Sequence, residues 1–268
     1  MIKVINIPEK GRGIDNKVTC IAISPDDLTA AVSSSTGSVR LWSLSTGACL
    51  RYIETGVTYF SFMTFNPAGS LLTTAGGYGV INQWLVDGAS TAPTRTFRGL
   101  CGRLSSVVYT TPIQLVIGSS RGALQVWDVG GPASSVASPL MGPPPPLCLV
   151  AHTKDVRGLS LSADGSVLVS ASDDHTLKRW RRRGSEWECT HNLTGHTDLV
   201  TCVAVSPGGD LAVSSSWDYS VQVWDLKTGT CKKVLKHDSL VHTVALSRDC
   251  RVAISRSVMT VNLWRLYE

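Results

Sequence analysis

Few residues in this chain could carry covalent chemistry, and their spacing limits each one. Gly118-Ser119-Ser120-Arg121-Gly122 fits G-x-S-x-G, which in hydrolases lifts a nucleophilic serine onto a sharp turn between a strand and a helix. Here the same slot earlier in the chain reads Ser33-Ser34-Ser35-Thr36-Gly37, a strand–turn–strand context, so the match is read as accidental. The eight cysteines (Cys20, Cys49, Cys101, Cys148, Cys189, Cys202, Cys231 and Cys250) never form C-x-x-C, and no histidine stands at zinc-ligand spacing from a cysteine pair. Each stands singly within an apolar run, where a reduced cysteine acts as a small hydrophobe. No acid–base pair, phosphate loop or metal set converges. The expectation is no enzymatic activity, no cofactor and no small-molecule substrate.

What remains is the chemistry of contact. Lys178-Arg179-Trp180-Arg181-Arg182-Arg183 is the strongest basic cluster. Guanidinium groups offer paired donors to phosphate or carboxylate, so Arg181, Arg182 and Arg183 are candidates for an acidic protein partner or RNA. The alternative is a solvated strand end. Arg179 occupies a slot held elsewhere by Leu41, Val126, Val223 and Leu263. Either its stem packs while its head reaches water, or it meets a buried acid. Trp217 and Tyr219 flank Asp218 at an expected turn tip, and Trp and Tyr are favoured anchors of protein interfaces. The alternative is packing against a neighbouring loop. Asp173 and His175 hold the same positions one repeat earlier and join the candidate partner-binding set. Pro143–Pro146 reads either as a polyproline II ligand or as an extended loop leading into a strand at Leu147–Val150.

The chain has 268 residues, 43% hydrophobic and 17% charged, with a formal net charge of +5, which suits a core-building sequence with a mildly basic surface. The opening MIKVINIPEKGRG holds no leader pattern, and no stretch of about 18 apolar residues offers a membrane span. A soluble protein without membrane contact, cytoplasmic or nuclear, is expected. Asn192-Leu193-Thr194 fits a glycosylation acceptor but has no secretory signal to act on it.

The elements that must position these residues are marked by tryptophan. Six of the eight close a strand-like run, at Trp42, Trp84, Trp127, Trp180, Trp224 and Trp264, with separations of 42, 43, 53, 44 and 40 residues. A fixed period near 40 marks a repeat architecture. Within one period an alternating run ends at a turn such as Ser206-Pro207-Gly208-Gly209, a second run (DLAVSS) ends in small residues, a third ends at the Trp, and a fourth follows a Thr-Gly turn. Four short strands per period make a blade that cannot bury both faces alone, so blades pack face to face. The expected fold is an all-β propeller of six four-stranded blades in one domain over residues 1–268, with a Pro-rich loop insertion at 130–146.

Trp127-Asp128, Trp224-Asp225 and Gly195-His196 resemble the WD-repeat family of β-propellers over essentially the whole chain. In that family a His, a Ser or Thr, an Asp and the Trp form a hydrogen-bonded tetrad within a blade. The resemblance implies one tetrad at His152, Ser170, Asp174 and Trp180 and a second at His196, Ser214, Asp218 and Trp224. The His-to-Trp separation is 28 in both. Thr36, Tyr78, Arg121 and Val258 stand where the tetrad Asp belongs in the other repeats, of which only the sixth keeps its His, His237. Those blades are expected to rely on hydrophobic packing alone. Residues 2 to 6 would supply the fourth strand of the sixth blade and close the ring; the alternative is an open ring completed by a partner's blade. The resemblance implies a non-catalytic scaffold that binds other proteins, with an RNA-associated module as the alternative.

Overall fold

A computed structural model describes residues 17–55, 60–76, 79–88, 90, 92–97, 103–129 and 147–266. The proposed closing strand at residues 2 to 6 and the insertion at 130–146 lie outside the described residues.

Among the described residues, 23 strands form six antiparallel sheets, each built from strands consecutive in the chain. Sheet 1 holds β1 (Val18–Ile23), β2 (Thr29–Ser34), β3 (Ser38–Ser43) and β4 (Cys49–Glu54). Sheet 2 holds β5 (Phe60–Phe65), β6 (Leu71–Gly76), β7 (Val80–Leu85) and β8 (Arg95–Phe97), and sheet 3 holds β9 (Leu104–Thr111), β10 (Gln114–Ser119), β11 (Ala123–Asp128) and β12 (Leu147–Val150). Sheet 4 holds β13 (Val156–Leu161), β14 (Val167–Ser172), β15 (Thr176–Arg183) and β16 (Glu186–Thr194). Sheet 5 holds β17 (Val200–Val205), β18 (Leu211–Ser216), β19 (Ser220–Asp225) and β20 (Thr230–Lys236). Sheet 6 holds β21 (Val241–Leu246), β22 (Val252–Ser257) and β23 (Val261–Arg265). The fold is an all-β, six-bladed β-propeller, and the sheets are its blades.

Local chemistry repeats with the period. The turn between first and second strands places Asp27, Gly69, Gly165, Gly209 and Cys250 at positive φ, so a non-glycine residue bears left-handed backbone strain twice. In four of these turns a serine hydroxyl meets an aspartate two or four residues on: Ser24–Asp26, Ser162–Asp164, Ser206–Asp210 and Ser247–Asp249. The bonds from Ser162 and Ser166 hold the Asp164 carboxyl at about 2. First strands carry a β-bulge one residue in, between Val18/Cys20, Phe60/Phe62, Val156/Gly158, Val200/Cys202 and Val241/Thr243. The bulge twists the strand locally and re-aims the side chain it skips.

The chain divides into two compact units, residues 1–114 with 128–145, and residues 115–127 with 146–268. In the first, sheet 1 buries Ala31, Val39, Leu41 and Ile53 against Met63, Phe65, Leu72 and Trp84 of sheet 2. In the second, sheet 4 presents Val167, Val169, Ala171 and Leu177 to Val203, Ala212 and Trp224 of sheet 5. Sheet 5 in turn presents Val213, Val221 and Val223 to Val244, Ala253 and Trp264 of sheet 6. Within each unit these sheets therefore meet trailing face to leading face, the trailing face of one turned toward the sheet that follows it in the chain. Fully burying one such Val or Leu contributes about 1.5–3 kcal/mol, so sheet-on-sheet contact is the main stabilising term.

Candidate protein-interaction site

Both expected tetrads form. Trp224 Nε1 donates to Ser214 Oγ at 2.8 Å, Ser214 Oγ meets His196 Nε2 at 2.7 Å, and His196 Nδ1 meets Asp218 Oδ2 at 2.7 Å. The counterpart distances for Trp180, Ser170, His152 and Asp174 are 3.0, 2.7 and 2.9 Å. One proton order satisfies every group: indole N–H to hydroxyl oxygen, hydroxyl to Nε2, Nδ1–H to carboxylate. Burial lowers the His152 pKa, outweighing the opposing pull of Asp174. Burial also acts to raise the Asp218 carboxyl, but bonds from His196, Ser220 and the Thr197 amide hold it well below the usual carboxylate range.

Sheets 2, 3 and 6 do not rely on apolar packing alone, which corrects that expectation for them, whereas in sheet 1 the buried Trp42 Nε1 has no partner among the described residues. In sheet 6, Trp264 Nε1 donates to Ser255 Oγ at 2.6 Å, Ser255 Oγ meets His237 Nε2 at 2.7 Å, and Asn262 stands near His237 Nδ1 at 3.4 Å. Sheet 2 gives Trp84 Nε1 to Thr74 Oγ1 at 3.1 Å. Tyr109 of sheet 3 places its hydroxyl 2.6 Å from Thr73 Oγ1 and 2.8 Å from Gln83 Nε2, a buried polar link between neighbouring sheets.

The tetrad Asp is also the anchor of an exposed turn. Asp218 Oδ1 accepts from the Ser220 amide and hydroxyl, while the Asp218 amide donates to Ser216 Oγ and the Trp217 amide to Leu199 O. The turn thus holds its shape without help from its two aromatic side chains. Trp217 is 37% exposed and Tyr219 49%. Tyr219 lies at φ 64° and His175, its counterpart in sheet 4, at φ 72°. The corresponding positions in sheets 1 to 3 are Gly37, Gly79 and Gly122, all at positive φ. A side chain there costs roughly 1–2 kcal/mol of backbone strain that glycine avoids.

Asp173 differs from Trp217 although it holds the same position. It is buried and engaged by Arg157, whose Nε and a terminal nitrogen reach its two oxygens at 2.7 and 2.6 Å. Sequence reasoning also missed the equivalent tip of sheet 6, where Val258 and Met259 are exposed; the signal was two apolar residues at a turn. The second unit thus presents His175, Trp217, Tyr219, Val258 and Met259 at equivalent turn tips.

The arginine cluster lies elsewhere. His175 precedes β15 and Arg183 ends it, so the two candidate sets stand at opposite ends of an eight-residue strand, roughly 25 Å apart. Here β15 and β16 run on past Trp180 as a longer hairpin, pairing Arg181 with Glu188, Arg182 with Trp187 and Arg183 with Glu186. Arg183 Nε donates to Glu188 Oε2 at 2.5 Å and Arg182 Nε to Gly184 O at 2.9 Å. Arg179 meets no acid: it donates to Thr190 Oγ1 at 2.8 Å, and its buried Nε finds no partner among the described residues. The G-x-S-x-G segment is a strand–turn–strand, with Ser119 Oγ donating to Ala123 O. Cys49, Cys148, Cys189 and Cys231 are exposed on the fourth strands of their sheets, not packed inside apolar runs as expected.

The profile described as "WD domain, G-beta repeat" matches residues 10–43, 144–181 and 187–225, two of which close on the intact tetrads. These three segments are WD40 repeats. Among curated proteins, the chain is 38% identical to cell division control protein 4 of Candida albicans over 39% of this chain and 15% of that protein. It is 35% identical to eukaryotic translation initiation factor 3 subunit I of Aspergillus terreus, over 39% of this chain and 30% of that one. It is 25% identical to transducin beta-like protein 3 of Bos taurus, over 85% of this chain and 30% of that one. The match thus covers less than a third of each of these relatives.

Proposed function

We propose that this WD40 chain is a non-catalytic protein-interaction scaffold, a subunit or adaptor of a multiprotein complex, that contacts a partner through the turn tips around Trp217 and Tyr219. The observation that carries the reading is the exposure of two aromatic rings on a turn whose backbone the neighbouring tetrad already holds. A pre-ordered turn loses little conformational entropy on binding, so the apolar contact of the indole is retained as affinity. One relative of this chain is by its name a subunit, translation initiation factor 3 subunit I.

Trp217→Ala removes a contact surface and no tetrad member. Loss of an anchor of this kind costs about 2 kcal/mol or more of binding, roughly thirtyfold in affinity. Thermal melting and affinity purification read by mass spectrometry test it: an unchanged melting temperature with a lost partner is expected. An unfolded variant, or one that keeps every partner, refutes the assignment. The RNA alternative rests on Arg181–Arg183, of which Arg183 is paired with Glu188 across the hairpin. Were RNA the ligand, binding would fall steeply with salt and survive Trp217→Ala.

A further inference from the structure

The hairpin joining β15 to β16 is longer than its counterpart in sheet 5 and ends in an exposed serine. In sheet 5 the third strand stops one residue after Trp224, and the turn that follows packs onto sheet 4: a Cβ on Gly229 would lie 2.6 Å from His191 Cδ2. β15 instead runs three residues past Trp180 to Arg183, and Gly184 and Ser185 alone close the hairpin between the paired Arg183 and Glu186. Gly184, at φ 62°, takes the first central position, as a type II′ turn requires. A Cβ there would meet nothing within 4 Å, so the tip stands in open space, and Ser185 beside it is exposed.

The residues before the serine carry charge at a definite spacing. Arg182 and Arg183 stand three and two positions ahead of Ser185, with Arg181 preceding them, and Ser185 is the only Ser or Thr of the chain that follows two adjacent cationic residues at that spacing. The strand holds the three arginines extended, so successive guanidinium groups leave on opposite sides and can meet separate carboxylates of an acidic groove. Glu186 and Glu188 follow, but Lys178, Arg179 and Arg181–Arg183 leave the hairpin three charges positive, which favours an acidic groove over a basic one. Arg183 is paired with Glu188 at the exposed surface, where such a pair exchanges readily for another partner. We propose that Ser185 is a phosphorylation site for an arginine-reading protein kinase, and that the phosphate neutralises the cationic end of the hairpin. Ser185 Oγ attacks the γ-phosphorus of a nucleoside triphosphate. The new O–P bond forms as the β–γ bridging P–O bond breaks, the nucleoside diphosphate leaves, and the hydroxyl proton passes to a carboxylate of the kinase. The phosphate brings about −1.5 to −2 charges at pH 7, which offsets most of the excess and offers Arg183 a second anionic partner. The site lies at the opposite end of β15 from the turn tips and does not rest on the Trp217 contact.

The test treats the folded full chain with ATP and the catalytic subunit of cyclic-AMP-dependent protein kinase, maps the phosphate by mass spectrometry, and seeks the same phosphopeptide in protein isolated from its own cells. Phosphate at Ser185 is expected in both. Arg182→Ala with Arg183→Ala removes two charge-assisted contacts and should lower kcat/KM roughly a hundredfold. If that variant does not fold, Arg183→Ala alone keeps the Arg182 bond to Gly184 O and should lower it about tenfold. The phosphorylated chain should leave a heparin column at lower salt than the unmodified chain, a shift that Ser185→Ala abolishes. Phosphate that appears only after unfolding, is absent from cells or is indifferent to the arginines overturns the proposal, as does unchanged heparin retention. Modification in cells that depends on Glu188, read as its loss in Glu188→Gln with the arginine variants unaffected, assigns an acid-reading kinase and overturns it too. Trp217→Ala should alter none of these readouts, so failure here and failure of the turn-tip reading are told apart.

Discussion

Asp218→Ala is the sharpest test of the polar network that shapes the candidate site. The carboxylate accepts four bonds: from His196 Nδ1 at 2.7 Å, the Thr197 amide at 3.1 Å, the Ser220 amide at 3.0 Å and the Ser220 hydroxyl at 2.6 Å. Water can replace the carboxylate at the exposed Thr197 amide and in part at Ser220, so those bonds are discounted. His196 cannot recover in that way, because its side chain is 0% exposed and its nearest other acceptor is Ser220 Oγ at 3.4 Å. An orphaned buried donor costs about 1–3 kcal/mol, and a bond to a charged acceptor lies toward the upper end. The expected loss is about 2–3 kcal/mol, or roughly 5–10 °C in melting temperature for a unit of this size. Urea and thermal unfolding followed by circular dichroism measure it, and a double-mutant cycle with His196→Ala isolates the pair. A coupling energy of about 1 kcal/mol or more is expected. A melting point within a degree of wild type, or additive single mutants, would refute the reasoning.

Two further outcomes follow from the same residues. Burial lowers the His152 pKa, so folding favours the neutral ring, and the stability this adds is present above the unfolded value of about 6.5 and lost as pH falls below it. The lowered carboxyls of Asp174 and Asp218 add a second loss below about 3.9, so urea midpoints should decline in two stages on acidification; a flat profile from pH 7.5 to 5 contradicts the first stage. Tyr219→Gly should relieve left-handed strain, leaving stability equal or about 1 kcal/mol higher, while weakening the partner lost in Trp217→Ala. A variant that melts well below wild type would show that the Tyr219 ring is structural.

The parts of the molecule legible in the sequence are those whose chemistry is confined within one repeat. A tryptophan at the end of a third strand needs both a large apolar site and an acceptor for its N–H, and the Ser ten residues before it supplies that acceptor in sheets 4 and 5. Sheet 6 hid its version because Ser255 is nine residues from Trp264 and Asn262, in β23, stands near His237 where an Asp was sought in the turn. The surroundings of the arginine cluster were hidden for a related reason: its charge reads along the chain, while the β15–β16 register sets Glu186 and Glu188 across from it. Asp173 and Trp217 share a position, yet one is held by Arg157 from β13 and the other is left outside, a difference set by the first strand of the blade and not by the turn. Ala245, Ile254 and Leu263 alternate just as Ala204, Val213 and Val223 do, because each blade is specified by the same pattern. Periodicity says which face of a strand wants cover, and only the neighbouring sheet decides whether it receives it.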